Sequence, residues 1–205
     1  MRSLLRILAL GAACVFFAAP ALGGEPDARP WELDAEHSSI GFRVKHVSGY
    51  VTGFFSRFSG DIEFDPARPE DGRFYILVDS SSVTTGTPAR DAHLRGADFL
   101  DVARFPRIMF ASKAVIREDG DAYVALGDLT IRDVTCEVRV PLTFLGSRPH
   151  PLRDRLPGVE VMGLQAKLVV NRLEFQVGSG PWADLGVIGD SIELNMDMEL
   201  MRHPR

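Results

Sequence analysis

The sequence predicts an all-β protein, an antiparallel β-barrel of about eight strands with a short helix covering one end. Most of the chain after residue 30 alternates apolar and polar residues with a period of two, which is typical of strands that have one buried and one solvated face. Turn-forming pairs such as Asp71-Gly72 separate these runs. Long strands and few helices favour a closed barrel over a large sandwich, because closure removes exposed sheet edges.

The N-terminus has the features of a cleavable secretory signal peptide over residues 1–23. Arg2 and Arg6 give a positive start, and an apolar run too short to span a bilayer follows. The small-x-small pattern at residues 21–23 is a cleavage signal. We therefore expect a periplasmic protein whose mature chain begins near Gly24, with a short leader over residues 24–30.

The composition of the mature chain excludes several classes of function. Loss of Arg2 and Arg6 lowers the 23 basic residues to 21 against 28 acidic ones, so the net charge becomes −7. Nucleic acids need a basic surface, so none is expected as a partner. Cys136 is the only remaining cysteine, which excludes an internal disulfide. About 180 residues suffice for one domain, and no segment is apolar enough for a stable membrane span.

Seven alternating segments are expected to form the main strands. Their apolar rows, in chain order, are Ile40, Phe42, Val44 and His46; Ile62 and Phe64; Phe74, Ile76 and Val78; Ile108, Phe110, Ser112, Ala114 and Ile116; and alternate residues of 134–144, 162–170 and 192–200. An eight-stranded barrel can fill its interior with side chains or hold one ligand. The 13 phenylalanines are first of all expected in a packed core, but they also suit a tunnel for a long apolar ligand, and composition does not separate the two.

The stretch from Ser80 to Phe110 predicts a helical lid between two strands. Thr87 suits the N-cap, Pro88 the first helical position and Gly96 the end. We expect this helix, with Phe99 and Leu100, to shield one end of the barrel. The polar block from Arg172 to Asp190 is expected to close the opposite end.

Several spaced motifs resemble those of a known bacterial family. They are Trp31-x-Leu33-Asp34-x-x-His37-Ser38-x-Ile40-x-Phe42-x-Val44-x-His46, Gly53-x-Phe55-x-x-Phe58-x-Gly60, Arg90-Asp91-x-His93-Leu94, Asp98-Phe99-Leu100-Asp101-Val102, Phe105-Pro106-x-Ile108-x-Phe110, Gly127-x-Leu129-Thr130-Ile131, Val134-Thr135, Asn171-Arg172, Phe175, Trp182-Ala183-Asp184 and Val187-Ile188-Gly189-Asp190. In this order they resemble the YceI-like lipid/polyisoprenoid-binding proteins over residues 31–201, which leaves residues 202–205 as a tail. Two positions depart from the family pattern, Asp133 in place of Gly and Cys136 in place of Lys.

The resemblance implies an exported, lipocalin-like barrel that holds a long-chain isoprenoid, quinone-type or other amphiphilic lipid. It implies binding without catalysis or cofactor, and allows a homodimer. The alternation of the strands and the lid predict the residues that face the ligand, although a slip of one residue would reverse a face. These predicted ligand-binding residues are Phe42, Val44, Phe64, Ile76, Val78, Phe99, Ile108 and Phe110.

The polar residues suggest alternatives that we keep open. His37, His46 and His93 lack the spacing of a metal site, so we expect them, with Arg90 and Asp91, to have structural roles. One alternative function is a hydrolase or isomerase that uses His93 with Asp91 or Asp98. Another is a ligand-free barrel that acts as an interaction module. A continuous interior cavity would count against the interaction module.

Overall fold

A computed structural model of the protein describes residues 30–204. The strands and helices are β1 (Trp31–His46), β2 (Gly49–Phe55), β3 (Phe58–Glu63), β4 (Arg73–Asp79), β5 (Val83–Thr84), α1 (Pro88–Arg95), β6 (Arg107–Arg117), β7 (Ala122–Ile131), β8 (Val134–Pro149), β9 (Glu160–Asn171), α2 (Pro181–Asp184) and β10 (Ile188–Arg202). The expected signal peptide and nearly all of the leader lie outside the described residues. Within residues 30–204, no helix is both long and apolar enough to cross a membrane.

The strands form one antiparallel sheet that closes into a barrel, which confirms the predicted fold class. The sheet order is β10-β9-β8-β7-β6-β4-β3-β1-β2-β5, and β10 also pairs with β1. The N-terminal end of β1 pairs with β3 and its C-terminal half pairs with β2. β2 and β3 therefore share one position in the barrel, which gives eight positions in all. Closure pairs β1 with β10 along nearly their full length, from Glu32 to His46.

Both long connections leave the barrel at the same end, which corrects one expectation. The segment from Arg172 to Asp190 does not close the end opposite α1, because Gly178 donates a backbone hydrogen bond to Asp98 and Trp182 contacts His93. The cause is the direction of the strands. Between the two connections the chain runs through four antiparallel strands, β6 to β9. Each strand reverses the direction of the chain, so after an even number of strands the chain is back at the end of the barrel where β6 began.

The other half of the barrel is a filled core. Its fully buried side chains come from β3, β7, β9 and β10 and include Ile62, Tyr123, Met162, Leu164 and Leu200. Trp31 seals this half at the start of β1, where its indole N–H donates to the carbonyl oxygen of Phe64 at 3.0 Å. The interior is therefore packed in this half, and the cavity described below lies in the half near α1.

Candidate functional site

The half of the barrel beside α1 encloses a cavity of about 290 Å³. Its wall is formed by the C-terminal half of β1, the ends of β4, β7 and β9, the starts of β6 and β10, the helix α1, individual residues of β2, β5 and β8, and the connections that follow α1 and β9. Most of the side chains on this wall are aliphatic or aromatic. The polar ones are His46, Arg90, His93, Arg172 and Trp182. This is the composition of a pocket for an apolar ligand, with a few polar groups that orient it.

Seven of the eight residues predicted to face a ligand lie on this wall. They are Phe42, Val44, Ile76, Val78, Phe99, Ile108 and Phe110. Gly53 makes room for the ring of Phe42, because a Cβ atom at that position would overlap the ring. Alternation along the strands therefore predicted the inward direction of the strand residues in this set. It was wrong at the far end of the β6 row, because a register shift between Ser112 and Ala114 leaves Ile116 47% exposed and buries Val115. The contact of the seven wall residues with a ligand stays a prediction.

Phe64, the eighth residue, is inward and buried but lies away from the cavity. Its ring packs edge-on against Tyr123 with a centroid distance of 5.1 Å, and it also contacts Phe74 and Phe144. These rings fill the packed half of the barrel. Phe64 therefore belongs to the core of the packed half and not to the cavity wall.

The helix α1 is held over the cavity through a buried carboxylate. Asp91 is 6% exposed and accepts hydrogen bonds from the hydroxyl of Thr84 at 3.0 Å, the backbone N–H of Thr85 at 2.7 Å and the hydroxyl of Thr85 at 2.6 Å. The bonds from Thr85 hold the pKa of Asp91 below its ordinary value of 3.8, although burial acts in the opposite direction. Asp91 thus joins the lid to the chain that follows β5, in agreement with a structural role.

We expect Asp91→Ala to lower Tm at pH 7 by several degrees, because three donors lose their acceptor. Because the pKa of Asp91 is lower in the folded protein than the ordinary value of 3.8, its ionised carboxylate stabilises the fold fully at pH values above 3.8. This stabilisation is lost as the pH falls through the folded-state pKa of Asp91. The difference in Tm between Asp91→Ala and the wild type should therefore shrink between pH 5 and pH 3. Asp91→Asn keeps the shape and should cost less than Asp91→Ala. A difference that is constant with pH would contradict the role of the charge.

Thr87 occupies the predicted N-cap position but does not cap α1 with its side chain. Its hydroxyl instead accepts a hydrogen bond from Nη2 of Arg90 at 3.1 Å. Arg90 also donates through Nε to the hydroxyl of Thr85 at 2.7 Å. The first turn of α1 thus directs Arg90 toward the preceding loop, while the same side chain forms part of the cavity wall.

An aromatic cluster joins α1 to the second connection. The ring of His93 lies 4.8 Å from Phe99 and 4.7 Å from Trp182, both in edge-to-face contact. Asp98 completes the cluster, because its Oδ2 accepts from the Trp182 indole at 3.1 Å and lies 3.4 Å from Nε2 of His93. The structure therefore brings His93 together with Asp98, whereas Asp91 is occupied by the two threonines.

A buried arginine fixes the end wall of the cavity. Arg172 is 3% exposed, and its guanidinium donates to the carbonyl oxygens of Val177, Gly178, Ile188 and Gly189 at 2.5–3.1 Å. Burial lowers the pKa of Arg172, while the charge of Asp190, 3.2 Å away, opposes that effect. One side chain thus ties the turn after β9 to the start of β10.

Comparison with known proteins agrees with this architecture. The YceI-like domain family matches residues 31–200. The chain belongs to the YceI-like family. UPF0312 proteins of Yersinia pestis and Pectobacterium atrosepticum are each 31% identical to it, over 86% and 84% of this chain and 88% and 85% of theirs.

Three solved structures share this fold. BcnA of Burkholderia cenocepacia superimposes with a TM-score of 0.74 at 24% identity, covering 82% of this chain and 98% of BcnA. The YceI protein of Campylobacter jejuni gives 0.65 at 26% identity, covering 75% and 86%. A polyisoprenoid-binding domain from Saccharophagus degradans, implicated in plant cell wall breakdown, gives 0.64 at 17% identity, covering 85% and 98%.

This YceI-like chain also has a polar cluster at the outer face of β1. The cluster brings potential metal-ligand atoms of Asp34, His37 and Glu199 within 4.8 Å of one another. Glu199 lies on β10, far along the chain from the other two, so the sequence spacing could not indicate this cluster. Asp34 already accepts hydrogen bonds from the backbone N–H groups of Glu36 and His37 and contacts Nδ1 of His37 at 2.8 Å. Contact with Asp34 raises the pKa of His37. The cluster fits a turn that stabilises the bulge in β1, and we assign no metal to it.

Proposed function

We propose that this YceI-like protein binds a long-chain isoprenoid, quinone-type or other amphiphilic lipid in the half-barrel cavity. The observation that carries the proposal is a 290 Å³ cavity with an almost wholly apolar wall, inside a barrel whose other half is filled. The description of the Saccharophagus degradans domain as polyisoprenoid-binding supports the same ligand class. A cavity of this kind counts against a ligand-free interaction module.

The mechanism would be burial without chemistry. Enclosing about 400 Å² of apolar ligand surface contributes on the order of 10 kcal/mol at about 25 cal/mol/Å². Ordering of the ligand and loss of its translational freedom offset a large part of this. The net affinity therefore depends on how well the wall fits the chain, and aliphatic residues such as Leu168 and Leu194 become the main determinants.

A hydrolase or isomerase is the competing proposal, and the chemical fate of the bound lipid separates the two. His93 lies 3.4 Å from Asp98, as that alternative requires. Within the described residues, however, the cavity wall contains no serine, threonine or cysteine that could act as a nucleophile beside it. We expect a folded His93→Ala variant to keep lipid binding, and no conversion of bound lipid by the wild type.

We further propose that the protein works in the periplasm. This rests on the signal-peptide pattern of residues 1–23 and on its positive residues Arg2 and Arg6. Cell fractionation, together with N-terminal sequencing of the mature protein, tests the proposal. A mature chain that begins near Gly24 is the expected result, and retention of residue 1 would contradict it.

Native mass spectrometry with lipid extraction tests the binding proposal directly. Protein purified without detergent is expected to carry a lipid that dissociates on organic extraction, and the emptied protein should rebind an added isoprenoid or quinone. Protein that carries no lipid and takes up neither compound would refute lipid binding.

A further inference from the structure

Four large apolar side chains are exposed on the outer surface around the cavity half of the barrel. They are Val47, Tyr50, Phe54 and Leu185, each between 50% and 62% exposed. Val47 lies at the tip of the β1–β2 hairpin, and Tyr50 and Phe54 point outward from β2, whose alternate residues line the cavity. Leu185 follows α2, close to the hairpin tip, because the backbone N–H of Val47 donates to the carbonyl oxygen of Val187 at 2.8 Å. We call the four exposed residues the rim patch.

The rim patch borders the cavity without being part of its wall. His46, which precedes Val47, lies on the wall, and so does Trp182, three residues before Leu185. Exposed apolar patches on a folded protein mark surfaces that meet another molecule. A partner that covered the rim patch would therefore lie next to the cavity.

The backbone of Val47 indicates that its side chain serves a purpose outside the fold. Its φ is 52°, a left-handed conformation that a β-branched residue rarely adopts and that glycine adopts without strain. Such strain is concentrated at functional sites. Packing does not offset it here, because Val47 is among the most exposed apolar residues that the structure describes. The folding of the chain alone therefore does not explain a valine at this tip.

The hairpin that carries most of the rim patch is locally basic. Residues 37–60 contain three lysine or arginine residues and no aspartate or glutamate, although the chain as a whole has 28 acidic residues. Arg43 pairs with Glu193 at 3.4 Å, and its guanidinium carbon lies 3.6 Å from the ring centroid of Tyr50. Lys45 is exposed, and in the described part of the chain no carboxylate lies within 4.0 Å of its ammonium group. This positive charge is complementary to an anionic surface.

We propose that the rim patch docks the protein on an anionic lipid bilayer, with the cavity half of the barrel turned to the bilayer surface. Aliphatic and aromatic side chains beside lysine and arginine are typical of protein surfaces that lie in the head-group region of a membrane. A bilayer also needs no matching shape, which suits side chains that are spread over a hairpin and a neighbouring turn. The docking goes beyond the proposed binding of a lipid in the cavity and does not require the cavity to be occupied.

Sedimentation of the wild-type protein with lipid vesicles tests the docking. Vesicles of phosphatidylcholine alone are compared with vesicles that also contain about 30% phosphatidylglycerol. We expect at least about fivefold stronger binding to the anionic vesicles, because each lysine or arginine near such a surface adds attraction. The difference should shrink at high salt, which screens charge interactions. Equal binding to both compositions overturns the choice of an anionic surface.

The result for the wild type also separates this proposal from lipid binding in the cavity. Protein that stays in solution with both kinds of vesicle overturns the docking. It leaves lipid binding intact, because that binding is measured with a dissolved isoprenoid or quinone and no bilayer. Protein that sediments with the vesicles but takes up no dissolved lipid would support the docking and refute the cavity as a lipid site.

Variants of the rim patch locate the contact. Val47→Gly combined with Leu185→Ser removes two apolar side chains and should weaken binding to the anionic vesicles at least about tenfold. Lys45→Gln should reduce the preference for the anionic vesicles. Leu145→Ser is the matched control, because Leu145 is as exposed as Leu185 but lies near the end of β8, in the packed half of the barrel. An equal loss in this control, or no loss in the double variant, overturns the role of the rim patch.

Val47→Gly on its own separates docking from folding. Glycine adopts a φ of 52° without strain, so the Tm of the variant should be unchanged or higher than that of the wild type. Its binding to the anionic vesicles should nevertheless fall about threefold or more, because an apolar side chain no longer leaves water on docking. A variant with a lower Tm and unchanged vesicle binding would assign Val47 to the fold and contradict the proposal.

Discussion

Tryptophan in place of Leu168 is expected to reduce lipid binding at least tenfold while the barrel stays folded. Leu168 lies on β9, faces the cavity and pairs across the sheet with Leu194, another wall residue. The larger indole would occupy space in the 290 Å³ cavity that the acyl or isoprenoid chain needs. Because the ring enters an open cavity instead of a packed core, the free energy of unfolding should fall by no more than about 1–3 kcal/mol. Fluorescence titration with an isoprenoid or quinone measures the affinity.

The neighbouring residue provides the matched control for this variant. Val169 is on the same strand, points outward and is 62% exposed. Val169→Trp adds a similar volume one residue away, outside the barrel, and should bind lipid like the wild type. Leu168→Ala enlarges the cavity and should keep binding. Equal affinity for Leu168→Trp and Val169→Trp would show that the lipid does not occupy this cavity.

The contrast between these neighbours shows what the sequence could predict. Leu168 and Val169 are both apolar, and only their place in the period-two pattern of β9 assigns them to opposite faces. The same pattern on β1, β4 and β6 placed the wall residues Phe42, Ile76 and Phe110 correctly. Alternation works because a residue of a strand has only two faces to choose from, and one of them is buried.

Alternation does not tell a filled region from an open one. Phe64 and Phe42 both sit on inward rows, yet one packs against Tyr123 and the other lines the cavity. The difference depends on which side chains of the opposite strands lie at the same level along the barrel axis. That level is set by the lengths of the strands and by their pairing register. The sequence likewise could not show that Arg90 combines bonds to two threonines with a place on the wall, because that needs the position of α1 relative to the strands.

The burial of the Arg172 side chain could not be predicted from the sequence for the same reason. The sequence shows it as part of an Asn-Arg motif before a glycine-containing turn, which gives no sign that its side chain is buried. Its partners lie 5 to 18 residues away and approach it only because β9 and β10 are adjacent. The three glycines of the connection between β9 and β10, Gly178, Gly180 and Gly186, have φ of 61° to 62°, which glycine adopts without strain. In the sequence, an arginine next to such a glycine-containing turn is the only indication that the side chain of Arg172 is buried.

Arg172→Ala is expected to lower the free energy of unfolding by about 3–5 kcal/mol. The substitution leaves four carbonyl oxygens without their donor, in a place where the wild-type side chain is 3% exposed. Arg172→Lys should lose most of the same stability, because one ammonium group cannot reach acceptors spread around a planar fork. Urea denaturation followed by circular dichroism measures the loss.

Asp190→Asn separates the carbonyl contacts of Arg172 from its ion pair. Asp190 is 58% exposed, so the pair is screened by water and its loss should cost no more than about 1 kcal/mol. A stability loss for Asp190→Asn as large as that of Arg172→Ala would mean that the ion pair, and not the carbonyl contacts, holds this end of the barrel. If the carbonyl contacts dominate, Arg172→Ala should also release bound lipid faster than Asp190→Asn, because the turn it holds carries the wall residues Phe175 and Val177.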